Sequence, residues 1–120
     1  MKFKAQREAI LKPLQLVIGV VERRQTLPVL SNVLVNAEDG RLALTATDLE
    51  VELVAKKELD IGEGGETTLP ARKLLDICRT LPEGAELELS TDGEKAQLRS
   101  GRSRFTLATL SASEFPTVEE

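Results

Sequence analysis

The segment RSGRSRFTLATL, residues 99–110, sets Arg99, Arg102 and Arg104 within six residues of one another in a chain whose formal net charge is −4. Guanidinium groups bind carboxylates and phosphates through paired donors, so such a cluster suits an acidic protein surface or a nucleic-acid backbone. A second set, Asp48, Glu50 and Glu52 in TDLEVE, lies on one side of the chain if that segment is extended, and a row of oxygen ligands could hold a divalent ion. A solvated strand face explains the same row, and spacing identifies no second ligand cluster, so no metal and no other cofactor is assigned. Nucleophilic chemistry has little to work with. The chain has no His to act as base, and its single cysteine, Cys78, falls on the apolar face of an expected helix, where a thiol is inert packing. Neither a G-x-G-x-x-G nor a G-x-x-x-x-G-K-[ST] phosphate loop is present. These residues favour binding over catalysis.

Composition narrows what kind of binding. At 120 residues, 41% hydrophobic and 30% charged, the chain has the size and balance of one folded domain with a core of its own. Three Phe and no Trp or Tyr leave that core to aliphatic side chains and exclude a base-stacking platform. One cysteine suits a reducing, cytoplasmic setting. The N-terminal stretch MKFKAQREAILKPLQLVIGVV is too short in its apolar part to span a bilayer and lacks a cleavage pattern, so no membrane partner is expected. A pI near 5.0 argues against whole-surface attraction to nucleic acid, so any such contact must come from a local basic face.

Periodicity supplies the elements that would carry these residues. KFKAQ alternates, and Ile10, Leu11, Leu14, Val17, Ile18 and Val21 then repeat every three or four residues, predicting a helix over 7–21 with Pro13 inside it. VERRQTLPVLSN reads as a loop. VLVNAEDGRLALTAT reads as a hairpin turning at Asp39-Gly40, with Val33, Val35, Leu42 and Leu44 inward, and EVELVAKKEL alternates at Val51, Leu53 and Ala55. DIGEGGE reads as a flexible turn or short linker. The order then repeats from near Gly65: a short extended TTLP, a helix in ARKLLDICRTL with Leu74, Ile77, Cys78 and Leu81 inward, and strands in AELELST and AQLRSGRSRFTLATL around a turn at Asp92-Gly93. Two copies of strand, helix, strands predict an α+β domain with an internal pseudo-twofold duplication, its two helices packed on one face of a largely antiparallel sheet.

The helices contribute cations. Arg72, Asp76 and Arg79 share the face opposite the apolar one, with Lys73 beside them, while Lys12 lies on the first helix and Arg23 and Arg24 in the following loop. An ordinary charged helix face accounts for them without DNA, although both helices on one side of a sheet would gather them on one surface.

Four strings, RQTLPVLSNVLV, LTATDLEVELV, LPARKLLDICRTLPEGAELEL and RSGRSRFTLATL followed by EFP, stand in an order and spacing that resembles the N-terminal domain of the bacterial sliding clamp, the beta subunit of the replicative DNA polymerase. The resemblance runs from MKF to EFP and makes residues 1–120 the first of three such domains. It implies a ring of two protomers joined head to tail around duplex DNA, helices lining the hole, and a non-catalytic role as processivity factor that tethers the polymerase. It further implies that the GRSRFTL strand pairs with the third domain of a second protomer, with Phe105 and Leu107 as apolar anchors and Arg102, Arg104, Lys73 and Lys95 facing carboxylates. DNA contact falls by the same resemblance to Arg24, with Lys12 and Arg72 beside it, through phosphates and without sequence preference. Polymerase and clamp loader would bind through a groove in the other two domains. Two other classes remain open at this point: a stand-alone interaction domain that uses the RSRFTL edge and never meets DNA, and a metal-dependent enzyme built on Asp48, Glu50 and Glu52.

Overall fold

The computed structural model describes residues 1–21, 27–92 and 94–116. Strand β1 (Lys2–Gln6) alternates exposed and buried residues and runs directly into helix α1 (Arg7–Val17), which turns Ile10, Leu11, Leu14 and Val17 inward. Pro13 lies within α1 without ending it, at the loss of one backbone donor. The α-helix is shorter than the expected 7–21, because Ile18–Val20 tighten into a 3-10 turn. After a further 3-10 turn at Pro28–Ser31 come β2 (Asn32–Glu38), β3 (Arg41–Thr47) and β4 (Glu52–Glu58). The β2–β3 turn has φ of 51° at Asp39 and 72° at Gly40, the two left-handed residues that a tight hairpin requires.

The second copy begins at β6 (Gly65–Pro70), continues through helix α2 (Ala71–Thr80), and ends in β7 (Glu86–Asp92), β8 (Lys95–Ser100) and β9 (Ser103–Ala108). Between the copies lies β5 (Ile61–Glu63). The strands form not one sheet but two, ordered β4-β3-β2-β6 and β5-β1-β7-β8-β9, with every pairing antiparallel. The cause is an exchange: β1 of the first copy pairs with β7 of the second, and β6 of the second pairs with β2 of the first. Each meander therefore borrows the other copy's leading strand, which ties the halves into one core.

That core collects Phe3, Leu87, Leu89 and Leu98 from one sheet, Val33, Val35, Leu42, Leu44 and Leu69 from the other, and Leu14, Val17, Leu74 and Cys78 from the helices. Two polar ties lock its ends. Arg7 at the start of α1 donates from Nη1 to the Cys78 carbonyl near the end of α2 at 3.1 Å and from Nε to Glu8 at 2.7 Å, while Glu8 accepts from the Gly84 N–H at 3.1 Å. Thr68, fully buried, accepts from Asn32 Nδ2 at 2.9 Å and donates to the Leu110 carbonyl at 2.7 Å, joining the edge of one sheet to the chain leaving the other.

Two expectations are corrected, one by long-range pairing and one by a local turn. DIGEGGE is no linker: Ile61 and Glu63 pair with Phe3 and Lys2, and a Cβ at Gly64 would lie 2.9 Å from the Ala37 carbonyl oxygen, so glycine here permits a close crossing. TDLEVE is not extended throughout. Asp48 Oδ1 accepts from the Glu50 and Val51 N–H groups at 2.9 and 2.7 Å, and Leu49 has φ of 82°, so a side-chain-closed turn breaks the carboxylate row.

Candidate interaction edge and cationic faces

Strands β8 and β9 are joined by two residues, Gly101 and Arg102, between the pair Ser100 and Ser103. Gly101, first in the loop, has φ of 56°, which glycine adopts at no steric cost. Alternation along GRSRFTL would set Arg102 on one face with Arg104 and Thr106, but Arg102 is a turn residue and does not share that strand face. β9 is the last strand of its sheet, in agreement with the edge position expected for RSRFTL.

Register fixes what this edge offers. The Thr109 N–H donates to the Glu94 carbonyl at 2.9 Å, and antiparallel bonding alternates with period two. Leu107, Phe105 and Ser103 therefore direct their backbone groups at β8, and Arg104, Thr106 and Ala108 direct theirs at the free edge. The side chains alternate as well. Leu107 is only 6% exposed and belongs to the core, Phe105 is half-buried against it, and Arg104, Thr106 and Ala108 face solvent.

The solvent face is strongly cationic. Arg104 lies directly opposite Arg99, a residue the family resemblance does not assign to the interface, and like charges so placed repel. Glu88, the neighbour of Arg99 on β7, has its oxygens 3.7 Å from Lys2 Nζ and 3.9 Å from Lys4 Nζ. Lys95, opposite Ala108, and Arg102 are both exposed. Lys73 stands on the exposed side of α2 with Arg72, Asp76 and Arg79.

Of the other predicted cations, Lys12 is exposed on α1. Arg72 is exposed, and its Nη2 donates to the Val21 carbonyl at 3.2 Å. Arg24 lies outside the described residues. Among the described residues no helix is long and apolar enough to cross a membrane, and no group of three or more His, Cys, Asp or Glu is placed to hold a metal ion. The backbone donors of Val51 and Glu50 hold the Asp48 carboxyl below its ordinary range, so this carboxylate serves its own turn. Burial pushes the Cys78 thiol up to about 11, which suits packing and not nucleophilic work.

A solved sliding clamp (DNA polymerase III subunit beta) from Pseudomonas aeruginosa has the same fold, with a TM-score of 0.96 and 61% identity over 100% of this chain and 33% of that one. Two helices, two strand-exchanged sheets and an open edge thus define a domain of the sliding-clamp class. The family model for the DNA polymerase III beta subunit, N-terminal domain, matches residues 1–119, and the chain belongs to that family. Relatives named beta sliding clamp are 61% identical in Pseudomonas putida and 54% identical in Escherichia coli, each over 121 aligned residues and 100% of this chain. The chain spans 33% of the length of these relatives.

Proposed function

We propose that this chain is the first of three similar domains in a ring that encircles duplex DNA and holds the replicative polymerase to its template. The observation that carries the proposal is the family match over residues 1–119, supported by the open β9 edge where a ring needs a joint. In this reading Phe105 supplies the apolar contact of that joint with Leu107, the other expected anchor, packed in the core beside it, and Arg102, Arg104, Lys73 and Lys95 meet carboxylates of a second protomer's third domain. Arg24, Lys12 and Arg72 touch DNA phosphates, weakly and without regard to sequence, because retention comes from topology and strong attraction would only slow sliding. The domain has no catalytic duty; polymerase and clamp loader act through the other domains. The open edge alone also suits a stand-alone interaction domain that adds a partner's strand and never meets DNA.

A chimera separates the two. Residues 1–120 replace the corresponding third of the Pseudomonas putida clamp, and retention is measured after loading on circular and on linear duplex DNA. The ring reading predicts a chimera that stays on the circle and runs off the linear form, with Arg24→Ala reducing loading several-fold. A folded, dimeric chimera that leaves both DNAs equally fast overturns it.

A further inference from the structure

Where the chain leaves β9 it crosses to the other sheet, and the crossing leaves an open groove of about 830 Å³. Its walls come from three places: Glu66 and Thr67 on β6, Glu94 in the β7–β8 turn, and residues 109–114 of the departing chain. Glu66, Glu94 and Glu114 are exposed along the rim, and among the described residues none of the three forms an ion pair. Glu66 accepts one hydrogen bond, from Asn36 Nδ2 at 3.1 Å. Lys95 follows Glu94 in the sequence but does not line the groove, and neither does any arginine of the β9 strip.

Three surface carboxylates are by themselves a solvated face. Two further features of this groove call for a ligand. Thr67 lines it at only 9% exposure, yet its hydroxyl has no hydrogen-bond partner among the described residues. A buried hydroxyl left so carries a desolvation cost that a bound polar group would relieve. The adjacent Thr68, by contrast, has its hydroxyl filled as donor and as acceptor. The second feature is backbone. The Thr68 N–H donates to the Leu110 carbonyl at 3.2 Å across the open side of β6, and antiparallel bonding alternates, so the N–H and carbonyl of Glu66 point to that same side. There the departing chain has already tightened into the 3-10 turn Ala112–Glu114, and among the described residues no backbone group meets Glu66 on that side.

The carboxylates are not gathered closely enough to share a metal ion among the described residues, so their charge suits an extended cation. We propose that this groove binds a basic peptide segment in extended form, paired with the Glu66 backbone, with Lys or Arg side chains on Glu66, Glu94 and Glu114 and a polar group on Thr67. Main-chain bonds at a sheet edge give such a ligand affinity, and its side chains give specificity. Guanidinium forks suit carboxylates. The site lies at the β6 edge and needs neither the β9 joint nor DNA, so it is independent of the ring.

Nuclear magnetic resonance titration of the 120-residue chain with acetyl-Ala-Arg-Ala-Arg-Ala-amide tests the site. Amide shifts should concentrate at Glu66, Thr67, Glu94 and residues 109–114, with a Kd of about 1 mM or tighter in dilute buffer that salt weakens. E66Q/E114Q should weaken binding at least about tenfold, whereas E58Q/E83Q, which removes the same charge elsewhere on the surface, should change it less than about twofold. Thr67→Val keeps the shape and removes the hydroxyl. It should leave the melting temperature of the free chain unchanged or higher, since no protein hydrogen bond is lost, and weaken the peptide at least about threefold. Absence of binding, shifts spread over the whole acidic surface, equal weakening by the two double variants, or a folded Thr67→Val that binds as wild type overturns the proposal. Spermidine that shifts the same amides as strongly as the peptide also overturns it, and assigns the groove to a small polyamine. Should Thr67→Val fold poorly, the two double variants, changed only at exposed positions, decide.

Discussion

Burial pushes the Cys78 thiol up to about 11 from an ordinary 9.0, and that shift has a readable sign. Between those values the unfolded chain holds fewer protons at this residue than the folded one, so stability is fully present below about pH 9 and is lost as pH rises toward 11. The loss attributable to Cys78 is about 2 to 3 kcal/mol, from about 1.4 kcal/mol per unit. Denaturant melts at about pH 8 and about pH 10.5 should therefore show a steeper alkaline loss in wild type than in Cys78→Ala; equal slopes would contradict the assignment. Helical spacing along the sequence is enough to mark Cys78 as inward, because that signal is local. Thr68 carries no such signal, since its partners lie 36 and 42 residues away. Thr68→Ala removes the acceptor of the buried Asn32 side chain and of the half-buried Leu110 N–H, while the Leu110 carbonyl keeps the Thr68 N–H, and should cost about 1–3 kcal/mol in urea unfolding, with Thr68→Ser recovering much of it.

At the scale of elements, what the sequence discloses is set by neighbours along the chain. Asp39-Gly40 turns where its two residues can take positive φ, and Leu87 and Leu89 face inward by alternation alone. The β5 strand is hidden because DIGEGGE has no alternation and a single β-branched residue, Ile61, and its pairing comes from β1 about sixty residues earlier. Gly64→Ala forces the chain away from the Ala37 carbonyl and should lower stability by about 1–3 kcal/mol, with faster amide exchange at Ile61–Glu63 than in the core strands. Unchanged exchange there would show that the crossing tolerates the methyl. The β9 edge is legible as an edge, but parity misplaces Arg102 because Gly101 turns the chain two residues before the strand resumes.

For the whole molecule, the duplication is visible as a repeated element order restarting near Gly65, whereas the exchange of leading strands is not, since strand pairing leaves no local mark. That exchange leaves β4 and β9 as the equivalent outer strands of the two sheets. Only one of them has an acid-free hairpin behind it. A chain with net charge −4 thus keeps a cationic strip along the β9 edge, which in the proposed ring would give the domain a direction for assembly. The proposed ring requires this edge to take an acidic strand from a different domain. Its most direct test is sedimentation velocity in dilute buffer of this chain mixed with the separately expressed C-terminal third of the Pseudomonas putida clamp, with Phe105→Ala alongside. The ring predicts a one-to-one complex that salt weakens and Phe105→Ala loses. Two folded partners that sediment independently at tens of micromolar, where even weak specific interfaces register, would contradict it.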